Sequence, residues 1–422
     1  VTGIAPAPGR RVFVIGAGAS GTAAAFAAKG AGADVTVVVG RTGATSLTSG
    51  ALDGEPGDLA SSQPLSELAR AIGIWELWGG LDVGPGFRVA TSAGILRPTL
   101  GRDINVLDLG EVGPGVVAVA SAPRRGWDPV ALAKGWTNEP WARSRGVRFE
   151  PVELDVLRVA GERTLPDPDL ARRHDDPERA GWLLDRLKAS AAVRRATGVL
   201  FGPWLGIRRP LARELARSLG KPVGELLSVP GGPAGIRFER ARDDLLVRHR
   251  IARIEGEVRR VERVGETIEL DCHDGSSHRA EIVVLATGGL VGGGIGWSGG
   301  DARLWFEQAA PACAGFVGPA RTPAALAVGR APPQMSGSPQ GPLFEAHAWS
   351  GGLAPAGMET VGLWTASDGR ARGVDGAAIP WLFCAGDAVA GAPRTMLHAI
   401  RSGLAAGLAA ARSATAETPM GP

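Results

Sequence analysis

The apolar positions of this chain fall into short, separated runs. Residues 12–15 are four consecutive apolar residues, the pattern of a strand buried on both faces. Gly16-Ala17-Gly18-Ala19-Ser20-Gly21 follows, then an alanine-rich stretch, 22–29, that predicts a helix, then a second apolar run at 35–39. Together they read as β-α-β with the glycines at the first turn.

Further along, strand-like runs between 87 and 100 flank Thr91-Ser92-Ala93-Gly94, a hairpin signal. Strands at 116–120, 147–152, 198–201 and 226–229 alternate with helical patterns at 129–143, 178–193 and 211–219, which predicts a small parallel α/β domain. The Pro/Asp-rich 165–177 is its expected flexible segment. A helix is expected over 235–246, then strand material at 254–264 and 267–272, followed by a turn at Asp274-Gly275. The apolar strand 282–285 runs into Ala286-Thr287-Gly288-Gly289. Residues 310–375 are Gly/Pro-rich, as in a cap over a site. The strand 381–385 stops at Gly386-Asp387, and 393–411 reads as a long helix with Pro393 in its first position.

Composition narrows this picture only a little. The chain has 422 residues, enough for two domains, with 44% apolar and 21% charged residues, as in a soluble globular protein. A net charge of +3 with scattered basic residues gives no basis for nucleic-acid binding. Twelve Trp beside no Tyr reads as compositional bias. Cys272, Cys313 and Cys384 form no C-x-x-C, so a metal or iron–sulfur site is not expected, and reduced thiols point to the cytoplasm. The uncharged stretch 12–28 is too short and too glycine-rich for a membrane span. Peripheral attachment through a partner, on the inner face of a membrane, stays open.

The chemistry starts at the glycines. Gly16 suits the tight turn, Gly18 the approach of a pyrophosphate, and Gly21 the close approach of helix and sheet, with Ala19 and Ser20 opening the helix whose N-terminus faces the phosphates. The Asp or Glu that often ends the second strand is missing, and Val39, Gly40 and Arg41 stand there. Arg41 suits a 2′-phosphate and equally a plain surface position. The polar loop 45–54, containing Ser49 and Gly50, suits backbone lying against a ring and phosphates, or a surface loop. Three strand ends thus share small residues: Gly16–Gly21, Thr287-Gly288-Gly289 and Gly386-Asp387. One extended ligand touching all three is what FAD requires, with Asp387 accepting from a ribityl hydroxyl and the ring near Arg394, Thr395 and Met396.

These motifs resemble those of glutathione-reductase-type FAD proteins. More specifically, Ser49-Gly50-Ala51-Leu52-Asp53, Glu153-Leu154-Asp155-Val156-Leu157-Arg158, Pro233-Ala234-Gly235-Ile236-Arg237 and Leu285-Ala286-Thr287-Gly288-Gly289 with Gly292-Gly293-Gly294 resemble the B subunit of anaerobic glycerol-3-phosphate dehydrogenase. Gly386-Asp387 and Pro393-Arg394-Thr395-Met396 are closer to the general FAD pattern. The resemblance implies a discontinuous α/β Rossmann-like FAD-binding domain of the ββα type at 1–60, 231–305 and 376–422. A β-rich segment at 61–110, a small parallel α/β insert at 111–230 and a β-rich cap at 306–375 complete it. It implies FMN as the alternative cofactor, and as partners a larger FAD-containing catalytic subunit and an iron–sulfur subunit passing electrons to quinone.

Hydride transfer to a flavin needs a base near the substrate hydroxyl and a positive field near the reduced ring. His398 and Arg394 are the catalytic candidates, with His347 in the cap a further base candidate. Arg124-Arg125 and Arg208-Arg209 read as solvated surface. The competing functions are a dehydrogenase subunit for a small alcohol, a non-catalytic flavin relay or structural subunit, and a free-standing NAD(P)H enzyme. The last lacks a second G-x-G-x-x-G, since residues 116–125 read VVAVASAPRR.

Overall fold

The computed structural model describes residues 10–40, 42–53, 82–289, 292, 294, 328–329, 362–372 and 376–413. The chain forms two compact units, one holding the described residues up to Thr45 and from Asp243 onward, the other those from Ser46 to Arg242.

The first unit is built on a mixed, mostly parallel six-stranded sheet. Its elements are β1 (Arg11–Ile15), α1 (Ala19–Gly30), β2 (Asp34–Val39), β3 (Ala252–Glu255), β4 (Ile282–Leu285), β5 (Arg370–Arg372), β6 (Ala378–Cys384) and α2 (Met396–Arg412). The strand order is β3-β2-β1-β4-β6-β5, parallel except for β5. Ile15 is level with Val38 and Leu285, and Leu285 with Cys384, so β1, β2, β4 and β6 end side by side. Their apolar runs are buried on both faces, as a covered parallel sheet requires. This is the α/β, Rossmann-like architecture that the apolar runs predict.

The expected strand 254–264 is two strands. β3 ends at Glu255 on the parallel sheet, and Val258–Val264 joins Thr267–Cys272 and Ser277–Ala280 in a separate antiparallel sheet. The alternation runs through both strands, so only tertiary pairing reveals the break.

α2 crosses α1 at very close range. A Cβ on Gly403 would lie 2.1 Å from Ser20 O, and one on Gly407 2.1 Å from Ala24 O. Only glycines allow these backbones to meet.

The second unit carries a four-stranded parallel sheet in the order Val147–Glu153, Gly115–Ser121, Gly198–Phe201, Val223–Glu225. A three-stranded antiparallel sheet of Ala51–Leu52, Leu96–Arg102 and Asp82–Ala90 lies in the same unit. The strand expected at 226–229 falls three residues earlier. Leu226 and Leu227 instead donate their N–H groups to Phe201 O and Ala90 O, at 2.9 Å each. Residues 165–177 are not a flexible segment either: Asp167–Arg173 is a helix with Leu170 and Ala171 buried. Pro168, Asp167 and Asp169 are start signals, a proline and acidic groups in the first helical turn.

Arg124 also corrects the surface reading. It is buried and donates to Glu162 O (2.8 Å), Leu165 O (2.7 Å) and Asp167 Oδ1 (2.8 Å), with its guanidinium over the Trp204 ring. Arg237 is buried likewise, between Asp103 (3.0 Å) and Glu225 (2.8 Å).

Candidate functional site

At the end of β1 the chain turns at Gly16, whose φ of +105° favours glycine. Its N–H donates to Val38 O at 3.0 Å. A Cβ on Gly16 would lie 2.3 Å from Ala286 O, and one on Gly21 1.9 Å from Gly16 O. The protein's own packing therefore demands both glycines. Gly21 clears the glycine turn itself, where the sequence suggested it clears the sheet.

Gly18 is different. It caps α1 with φ −71° and ψ −170°, extended backbone open to any residue. A Cβ there would meet one atom, Thr45 Oγ1, at 3.1 Å. That hydroxyl accepts the Ala19 N–H at 3.0 Å. Thr45 is a site residue that sequence reasoning did not single out, although it opens the polar loop 45–54.

The second strand end packs against the third. Gly288 has φ +83°, and a Cβ on Gly289 would lie 2.9 Å from Asp387 O and 3.6 Å from Arg394 Cζ. Gly294 N–H donates to Gly289 O at 3.0 Å. The third end also packs against the first: a Cβ on Gly386 would lie 2.5 Å from Ser20 Oγ. Gly386 N–H donates to Ser402 Oγ of α2 at 2.8 Å.

The N-terminus of α2 carries the charged groups. Thr395 is its N-cap, accepting from His398 N–H at 3.2 Å, so the helix begins at Met396 and not at Pro393. Arg394 Nη1 donates to Asp387 O at 2.6 Å and lies 3.7 Å from Asp387 Oδ1. Burial raises the Asp387 pKa above the usual carboxylate range, outweighing the lowering effects of Arg394 and then His398. Arg394 and His398 thus both bear on the Asp387 carboxyl.

Gly16, Gly18, Ala19, Ser20, Gly21, Thr287, Gly288, Gly289, Gly386, Asp387, Arg394, Thr395, Met396 and His398 all belong to these neighbouring strand ends and the start of α2. Ser49 and Gly50 belong to the second unit. There Ser49 O accepts Ser228 N–H at 2.8 Å, Gly50 O accepts Asp103 N–H at 2.6 Å, and a Cβ on Gly50 would press on Asp103, Ala234 and Val106. Arg41, His347, Cys313 and nearly all of the expected cap 306–375 lie outside the described residues.

Among the described residues no group of His, Cys, Asp or Glu could hold a metal ion. Cys272 and Cys384 are buried free thiols, and burial pushes Cys384 up to about 12. No helix among those residues is long and apolar enough to cross a membrane.

No protein-family model and no curated protein matches the chain. Solved structures do. An open conformation of a flavocytochrome c3 fumarate reductase aligns at 12% identity over 97% of this chain and 79% of that chain, with a TM-score of 0.38. The 3-ketosteroid-Δ4-(5α)-dehydrogenase from Rhodococcus jostii RHA1, in complex with 4-androstene-3,17-dione, aligns at 15% identity over 97% and 99%, with a TM-score of 0.34. Klebsiella pneumoniae HpxO complexed with FAD and uric acid aligns at 12% identity over 66% and 39%, with a TM-score of 0.25. The chain covers 33% to 39% of the length of three others, among them peptidyl tryptophan dihydroxylase QhpG. All of these TM-scores lie below 0.5, and the alignments imply no common ligand or substrate.

Proposed function

We propose that the first unit binds FAD across the ends of β1, β4 and β6, and that the chain is a subunit of a flavin-dependent dehydrogenase acting on a small alcohol. Gly18 carries this reading. Gly16 and Gly21 are explained by internal packing, but Gly18 has an ordinary backbone and a single polar neighbour. A missing side chain at a helix N-terminus, where N–H groups and the helix dipole favour an anion, suits a pyrophosphate.

The other residues fit the rest of the ligand. The Asp387 carboxylate is an acceptor for a polyol hydroxyl, and the glycines at 288 and 289 let the chain lie flat beside a ring. The start of α2, with Arg394, supplies a positive field, and His398 is the candidate to take a substrate proton. When bound, the flavin supplies the hydride-accepting ring. The motifs shared with the glycerol-3-phosphate dehydrogenase B subunit favour glycerol 3-phosphate as substrate, with a larger FAD-containing subunit and an iron–sulfur subunit as partners and membrane contact only through them.

The test is to purify the full chain, identify its flavin after acid extraction, and add glycerol 3-phosphate without oxygen. Loss of the flavin's visible absorption by the chain alone supports the dehydrogenase. Loss only with partner subunits present makes the chain a relay, and extraction of FMN corrects the cofactor. A chain that holds no flavin refutes the reading.

A further inference from the structure

The second strand of a dinucleotide fold commonly ends in Asp or Glu, whose carboxylate accepts from the adenosine ribose hydroxyls. Here β2 ends in Val39-Gly40, with no such group. β3 runs parallel along β2, with Glu255 opposite Val39, and the chain stays close after β3 ends. Gly256 N–H donates to Val39 O at 3.0 Å, and Glu257 O accepts His273 N–H at 2.9 Å, which ties down the backbone on either side of the Glu257 side chain.

A Cβ built on Gly40 would lie 3.3 Å from Gly256 O and 3.6 Å from Glu257 Cγ. The half-buried Glu257 side chain therefore runs beside the point where a side chain of residue 40 would begin. Its carboxyl carbon, one bond of ~1.5 Å further on, lies within about 5 Å of that point. With glycine at position 40, the Glu257 side chain and the Gly256 carbonyl take up the place of a side chain there.

We infer that Glu257 supplies, from the neighbouring strand, the ribose-binding carboxylate that β2 lacks. This rests on the flavin reading above. It assigns the adenosine end of the ligand to the β2–β3 edge and makes binding depend on the free ribose hydroxyls there.

The experiment titrates the flavin-free full chain with FAD, ADP and 2′,3′-dideoxy-ADP, comparing wild type with Glu257→Gln. A carboxylate–hydroxyl bond predicts FAD and ADP binding about tenfold weaker in the variant. Loss of the ribose hydroxyls should weaken wild-type binding by a similar factor and weaken the variant no further, since both changes remove one interaction. Unchanged FAD and ADP affinity in Glu257→Gln overturns the assignment. So does an equal loss with dideoxy-ADP in both proteins, which would make Glu257 merely structural. A wild-type chain that binds neither FAD nor ADP overturns the flavin reading, and this assignment with it.

Discussion

Replacing Gly407 by alanine sets two effects of opposite sign against each other. In an isolated helix the change is favourable by roughly 0.5–1 kcal/mol, because glycine carries the larger entropy loss on folding. In this fold the new Cβ would lie 2.1 Å from Ala24 O and 2.8 Å from Ala24 C, both backbone atoms of α1. Ordinary contact begins near 3.4 Å, so α2 must withdraw from α1 by about an ångström, and overpacking of this kind costs about 1–3 kcal/mol. The net result is a loss of about 1–2 kcal/mol. Gly30, exposed at the end of α1 with nothing within 4 Å of its built Cβ, is the control in the same unit. Gly30→Ala should be neutral or slightly stabilising. Urea unfolding of the two variants beside wild type measures the difference. Because α2 also carries His398 and begins two residues after Arg394, Gly407→Ala should lose flavin affinity as well. Equal stability of Gly407→Ala and Gly30→Ala would refute the close crossing of α1 and α2.

Other outcomes follow from the second unit. His174 is fully buried, donates from Nδ1 to Trp204 O (2.8 Å) and has an unpartnered Nε2, and burial, then the Arg179 charge, pushes its pKa down to about 4. Folded and unfolded states are both neutral at His174 above about pH 6.5, so its contribution is fully present there. It is lost as pH falls towards 4, because only the unfolded chain takes up the proton, and the loss reaches roughly 3 kcal/mol. His174→Asn keeps a donor for Trp204 and should remove this component; identical pH dependence of urea midpoints in both proteins would count against it. Arg124→Met removes the donor to the Glu162 and Leu165 carbonyls and leaves Asp167 Oδ1 with the Trp204 indole N–H, and should cost about 2–3 kcal/mol in the same assay. Arg124→Lys should rescue little of it, since a single ammonium cannot span the fork.

What was legible in the sequence is what depends on neighbours along the chain. The apolar runs, the glycine turn after β1 and the small residues at 286–289 and 386–387 mark themselves locally, and the sheet brings them level. What was not legible depends on contacts between distant segments. Gly403 and Gly407 look like mere helix weakeners until Ser20 and Ala24 lie opposite them. Arg124 looks like a surface arginine until the carbonyls of 162 and 165 close around it. Thr45 and Glu257 acquire roles only because β1 and β2 place Ala19 and Gly40 beside them. Pro393 had the right chemistry for a helix start but lost the position to Thr395, whose hydroxyl satisfies a first-turn N–H that proline cannot serve.

The measurement that bears most directly on the flavin site is the FAD affinity of Gly18→Ser, taken together with its stability. Serine is a better N-cap than glycine in this backbone conformation, so α1 should be as stable as before or slightly more so. The same side chain fills the space left for the pyrophosphate and competes for the N–H groups it would use, so FAD binding should weaken at least about tenfold. Stability retained with affinity lost is the predicted result. Unchanged FAD binding in Gly18→Ser, or no FAD binding by the wild-type chain, would contradict it.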